Sequence, residues 1–384
     1  MNHHSSSHAH TTVQARAPRL LGVLATFAMV LGIAGVGATT AAADTVIDTI
    51  PVGGGPSRVA ITPDGSSAYV GNQLDDSVSV IDIATNTEIT TVAVGDGPAG
   101  VAVTPDGTRV YVTNVGDDSV SVIDTGTNTV VGLPIPVGDN PREVAITPNG
   151  NFAYVTNFAD DSVSVIDTGT NMVVSTITVG AFPLGVAITP NGNFAYVANS
   201  TDASVSVIDT GTNMVVDEVT VGAGPRVVAI APNGKRAYVT NLFDASVSVI
   251  DTGTNTQVDT IPVGGAPTGV AVTPNGKRAY VTNNDDNTVS VIDTLRRTVI
   301  ETIPVGGGPE RVAITPNGTR AYVTNNFDDT VSVIAIDQCL GSLCIGFGSL
   351  VGGGSTGSGA GTGAGSVAGG GSLAGGGSAG SAAS

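Results

Sequence analysis

Tryptophan is absent from the 384-residue chain, and its four histidines (His3, His4, His8 and His10) all lie at the very start. Cysteine occurs only at Cys339 and Cys344, too few for a structural zinc site with four ligands. Cations are also scarce: 14 Lys and Arg face 32 Asp and Glu, a formal net charge of −18. That deficit argues against nucleic-acid binding, which needs clustered Lys and Arg against phosphates. It suits solubility, a bound cation or a basic partner. Between Asp44 and Asp337 no stretch carries helical periodicity. What is abundant is Gly, Val and short polar turns, the composition of an all-β chain.

The opening segment reads as an export signal. Arg16 and Arg19 precede a charge-free apolar run from Leu20 to Ala38, and Ala41-Ala42-Ala43 stands just before Asp44. A basic flank, an apolar core and an Ala-x-Ala site predict a secretory signal peptide over 1–43, cleaved after Ala43. The run is also just long enough to span a bilayer, so an uncleaved anchor is the alternative. Arg-Ala-Pro-Arg is not an adjacent arginine pair, which speaks against a twin-arginine route. The mature chain then has no His, no transmembrane helix and 32 acidic residues against 12 basic ones. It is expected to be secreted or held at the cell surface, and monomeric.

Seven tyrosines, at 69, 111, 154, 196, 238, 280 and 322, mark an internal repeat. Their spacing is 42 residues except for 43 between Tyr111 and Tyr154. Each unit holds four short strands: an apolar strand A ending in Pro-Asn/Asp-Gly, a strand B with Tyr-Val-Thr-Asn, an alternating Ser-Val-Ser-Val-Ile-Asp strand C, and after Thr-Gly-Thr-Asn a strand D. Units of this length with four strands are propeller blades. The prediction is a seven-bladed β-propeller over 44–337. The last unit lacks its own strand D, while Thr45–Gly53 nearly repeats Thr298–Gly306, which is one. The N-terminal strand should therefore pair with Val331–Ile336 and close the ring as three strands plus one, leaving no raw edge.

These residues resemble the YVTN family of β-propeller repeat proteins. The motif is intact at Tyr111–Asn114, Tyr154–Asn157, Tyr238–Asn241, Tyr280–Asn283 and Tyr322–Asn325, and departs at one position in Tyr69–Asn72 and Tyr196–Asn199. The resemblance covers about 45–337 and implies a surface-layer-like or exported propeller. It carries no activity with it. Beyond the ring, 338–349 form a Cys-containing linker in which Cys339 and Cys344 are expected to form a local disulfide in an oxidising compartment, or to bond another chain. Residues 350–384 are Gly, Ser, Ala and Thr with two Val and two Leu, a composition that behaves as a flexible, disordered spacer.

Three sets of residues are candidates for function. The loops after each Asn hold Asp75-Asp76, Asp117-Asp118, Asp160-Asp161, Asp202, Asp244, Asp285-Asp286 and Asp328-Asp329. Their carboxylates either build turns through backbone hydrogen bonds or ligate calcium. The repeated Tyr is expected to pack between blades with its hydroxyl bonded. The blades differ most in the pair after Gly-x-Pro, which includes Arg58, Arg142-Glu143, Arg226 and Glu310-Arg311. At the channel mouth these arginines either converge on a carboxylate or phosphate, or pair within the rim as Arg142–Glu143 and Glu310–Arg311.

Catalysis fares poorly. Without His, a Ser-His-Asp or Cys-His arrangement cannot form, and neither propeller lyases and lactonases leaning on a catalytic His nor haem-binding propellers fit. Trp-lined quinone sites are missing too. A hydrolase using carboxylates alone stays open, but nothing singles out a pair. The expectation is a non-catalytic module, with no cofactor, that meets an extracellular or cell-envelope protein or glycan. Its alternative is a binder of, or enzyme on, a small anionic ligand at the channel mouth.

Overall fold

A computed structural model describes residues 43–337; the expected signal segment up to 42, the linker holding Cys339 and Cys344 and the Gly/Ser-rich tail lie outside the described residues. Those described form strands and turns only, arranged as seven antiparallel sheets that follow the repeat. In blade 1 the strands are Pro56–Ile61 (A), Ser67–Asn72 (B), Ser77–Asp82 (C) and Thr87–Ala93 (D). Strand A of each blade packs against strand A of the next, so the seven A strands surround a central channel.

The ring closes as the sequence predicts. Thr45–Pro51 pairs antiparallel with Thr330–Ala335, from Thr45 opposite Ala335 to Pro51 opposite Thr330. The resulting sheet supplies blade 7 with strands A, B and C from one end of the chain and D from the other. The closing strand even reproduces the register shift of every intact strand D, between Val46 and Asp48 here as between Val80 and Ile81 in blade 1. Ile50 enters the core at 2% exposure beside Tyr322, Val331 and Val333.

Blade 2 departs from the pattern. Its extra residue breaks strand D into Thr129–Val130 and Ile135–Pro136. Gly132, at positive φ, and exposed Leu133 bulge out between them.

The Tyr-Val-Thr-Asn motif is what joins blade to blade. Each Tyr ring is buried in a cluster shared with the following blade, as Tyr69 is with Val101, Val110 and Val112. In five blades its hydroxyl donates to the Asn that ends the following blade's C–D turn: Tyr69 to Asn128 Oδ1 at 2.7 Å, Tyr111 to Asn171 at 2.7 Å, Tyr154 to Asn213 and Tyr196 to Asn255 at 2.6 Å, Tyr322 to Asn86 at 2.8 Å. These Asn residues sit at positive φ, a conformation that Asn tolerates better than most residues. The Thr hydroxyl reaches strand A of the next blade, as from Thr156 to the Leu184 carbonyl at 2.8 Å and from Thr324 to the Ser57 carbonyl at 3.0 Å. Blade 1 has Gly71 instead, and Ser57 takes over the link with its own hydroxyl, bonding the Pro98 carbonyl at 3.0 Å. The motif's Asn stays within its blade, donating to two strand-C hydroxyls, for Asn157 those of Ser162 and Ser164 at 2.9 Å.

Candidate functional site

The loops between strands B and C and the crossovers between D and A share one face with the channel mouth. In every blade the acid three residues after the motif's Asn accepts from a backbone N–H of its own blade's crossover. Asp75 holds Gly54 at 2.6 Å, Asp117 holds Asp96 and Asp160 holds Asp139 at 2.8 Å, Asp202 holds Ala181 at 2.6 Å. Asp244, Asp286 and Asp328 continue the series on Ala223, Gly265 and Gly307 at 2.6–2.7 Å. The residue after it reaches the next crossover instead. Asp76 accepts from Gly97, Asp118 from Asn140, Asp161 from Phe182 and Asp329 from Gly55, at 2.8–2.9 Å. These second acids lie at positive φ. Each acidic pair is thus a brace from one blade to the next.

One register differs from the sequence reading. Asp286 is the equivalent of Asp75, and Asn287 is the equivalent of Asp76, bonding Gly308 at 2.9 Å. Asp285 belongs to the preceding position and has no part in the brace. Among the described residues no three Asp, Glu, His or Cys side chains converge as a metal ion would require.

At the mouth, the variable pairs come together, but not as neighbours in the rim. Arg58 of blade 1 meets Glu143 of blade 3 at 2.7 Å, and Arg226 of blade 5 meets Glu310 of blade 7 at 3.3 Å. Arg311 approaches the same Glu143 at 3.7 Å and turns its Nη1 onto the carbonyls of Thr268 and Glu310. The rim pairs Arg142–Glu143 and Glu310–Arg311 do not form; each carboxylate meets an arginine of another blade. Pairs that skip a blade span the channel instead.

Arg58, Glu143 and Arg311 keep only 7–13% of their side-chain surface exposed. Burial depresses the Arg58 guanidinium and raises the Glu143 carboxyl, and their mutual attraction offsets part of this. The cluster plugs the channel with four guanidinium groups against two carboxylates.

Arg142 stands apart. Its Nε, like those of Arg58 and Arg311, is buried without a hydrogen-bond partner, and burial, together with the charges of Arg58 and Arg226, lowers its pKa. No carboxylate among the described residues pairs with it; its guanidinium lies over the Phe158 ring, 5.1 Å from the centroid. Phe158 in turn packs on Phe182 of the next blade, with centroids 4.8 Å apart.

The sequence reading missed a third feature of this face. Two residues after the motif's Asn stand Leu74, Phe243 and Phe327, exposed at 78, 76 and 73%. Each lies against a crossover glycine at positive φ (Gly55, Gly224, Gly308) on which a Cβ would come within 2.6–2.8 Å of it. The signal was present in the sequence as apolar residues in an otherwise polar loop, repeated at one register.

The family model for a lactonase seven-bladed β-propeller matches residues 34–172 and 212–345, and that for a YNCE-like β-propeller matches 137–278. No curated protein matches the chain significantly. Among solved structures, hydrazine synthase of Kuenenia stuttgartiensis is similar at a TM-score of 0.69 and 28% identity, covering 73% of this chain and 96% of that one. Seven closed blades and a match over most of its length show that this chain belongs to the family described as lactonase, seven-bladed β-propeller.

Proposed function

We infer that this protein is a secreted or cell-surface interaction module, and that the face carrying the B–C loops is where a protein or glycan of the cell envelope docks. The observation that carries this reading is the exposure of Leu74, Phe243 and Phe327, large apolar side chains fixed over glycines on a rigid rim. Single exposed apolar residues are ordinary; three at one register of one face, held in place, are a pre-ordered contact set. The channel supports the same reading, since both of its carboxylates are already paired with arginines of other blades. Family membership brings no lactone chemistry by itself, and no histidine stands in 43–337 to serve it. The test is capture of partners from an extracellular and envelope fraction by the wild type and by the triple variant Leu74→Ser, Phe243→Ser, Phe327→Ser. Loss of the captured set at unchanged thermal stability is expected; an unchanged set removes the face from the reading.

A second reading rests on Arg142. It is the one arginine of the plug without a carboxylate among the described residues, and it sits at an aromatic pair. A small carboxylate or phosphate with an apolar body suits that combination. A panel of such compounds should raise the melting temperature of the wild type and not of Arg142→Ala. A shift that survives this substitution places the ligand elsewhere.

A further inference from the structure

Two inter-blade tyrosine links depart from the Tyr–Asn pattern: opposite Tyr238 the turn ends in Arg297, and Tyr280 meets a carboxylate. Blade 6 should send its Tyr280 hydroxyl to the Asn closing the C–D turn of blade 7. That turn is replaced by a chain break in the blade, because strand C of blade 7 ends at Ala335 and strand D begins at Thr45. Asp44 stands in the place of the missing Asn: it immediately precedes strand D, as Asn86 precedes Thr87 and Asn171 precedes Met172. Its side chain has no exposed surface. The carboxylate accepts from the Tyr280 hydroxyl, from Arg278 Nη1 at 3.0 and 3.1 Å, and from the backbone N–H of Asp337 at 2.7 Å. It therefore ties blade 6, the chain just past strand C and the start of strand D together.

Asp44 pairs with Arg278, and a second carboxylate stands beside it: Glu301 Oε2 lies 3.4 Å from the Asp44 backbone nitrogen. Burial and the Asp44 charge raise the Glu301 carboxyl. A positive charge on that nitrogen would complete the cluster. Hydrolysis of the Ala43–Asp44 peptide bond creates one. Water adds across the amide, Ala43 leaves as a carboxylate, and the amine of Asp44 takes up the proton and is largely an ammonium at neutral pH.

We propose that a small-residue-specific export protease cuts between Ala43 and Asp44, and that the new α-ammonium of Asp44 pairs with Glu301 to finish the ring closure. Ala43 is exposed while Asp44 is buried. A protease needs both sides of the bond in extended form, so the cut precedes closure. The register is strict. A cut one residue later removes the acceptor of Tyr280; a cut one residue earlier leaves an uncharged amide at Glu301.

Two measurements test this. The first is the N-terminus of the protein secreted from the full-length gene, by sequencing and intact mass. Asp44 is expected, and any other first residue overturns the cleavage. The second is a double-mutant cycle on thermal stability. It compares the chain beginning at Asp44 with the same chain beginning at Ala43, each with and without Glu301→Gln. Coupling is expected: Glu301→Gln lowers the melting temperature by a few degrees when Asp44 carries the free amine, and by less when Ala43 precedes it. Equal shifts in the two backgrounds overturn the ammonium–Glu301 pair, whatever the result at the terminus.

Discussion

Tyr111 and Asn171 show how much of the repeat is spent on holding one hydroxyl. The Tyr ring is fully buried and its oxygen has one side-chain acceptor, Asn171 Oδ1, on a residue at φ 54°. Three substitutions separate these roles. Asn171→Gly keeps the backbone conformation and removes the short acceptor, leaving the buried hydroxyl only the Thr168 carbonyl at 3.4 Å, which should cost about 1–3 kcal/mol. Asn171→Ala adds roughly 1 kcal/mol of backbone strain. Tyr111→Phe removes donor and need together and should be the mildest of the three. Urea unfolding of the three variants checks the order; Ala no worse than Gly would mean that the turn relaxes. Glu143 is the residue-scale counterpart in the channel. It serves both Arg58 and Arg311, so Glu143→Ala leaves two buried guanidinium groups without a carboxylate, and about 3–5 kcal/mol should be lost. A loss under about 1 kcal/mol, as for surface pairs, would mean that the plug is open to water.

Among the strands, the two outer ones that break the pattern carry the sharpest expectations. Deleting Thr45–Gly53 removes the closing strand and bares the edge of Thr330–Ala335 together with the pocket of Ile50. An unpaired apolar edge recruits other chains. The deletion should therefore aggregate or lose most of its thermal stability, and unchanged unfolding would contradict the role of this strand. In blade 2, strand D is two short pieces around Gly132 and Leu133. Its amides should be the first outer-strand amides to exchange with deuterium, ahead of the unbroken Met172–Thr178 and Thr298–Pro304. Strands, turns and closure could be read from the sequence because each depends on local spacing repeated seven times. The extra residue in blade 2 was visible, but not where it bulges. The pairs across the channel were hidden, since whether Arg58 meets Glu143 or Arg142 meets it depends on ring curvature and on which way a strand residue points. Asp44 was hidden for a related reason: beside an expected cleavage site it looks like a terminus, and only the closed ring makes it a turn residue.

For the molecule as a whole, repetition turns a weak link into a cooperative one. Each hydrophobic cluster joins two blades, as Tyr154 of blade 3 packs with Val186, Val197 and Ile208 of blade 4, and the last cluster returns through Tyr322 to Ala68 and Val70 of blade 1. A closed ring of shared clusters has no free end from which to fray, unlike an open solenoid. The tyrosines report on this directly. Burial, with nearby carboxylates adding to it, pushes Tyr69, Tyr154 and Tyr196 up to about 12, and burial raises the other four as well. The ordinary value is 10.0, so above it the unfolded chain gives up phenolic protons that the folded ring retains. Stability is then fully present below pH 10 and falls as pH rises from about 10 to 12. Because every blade boundary carries one such group, the losses add around the ring. Titrating the protein upward while following tyrosinate absorbance and circular dichroism together should give one steep step, with ionisation and unfolding coincident. Tyrosinate absorbance that grows gradually around pH 10 while the β-sheet signal stays constant would show the hydroxyls to be accessible, and the inter-blade bonds to the turn asparagines to be dispensable.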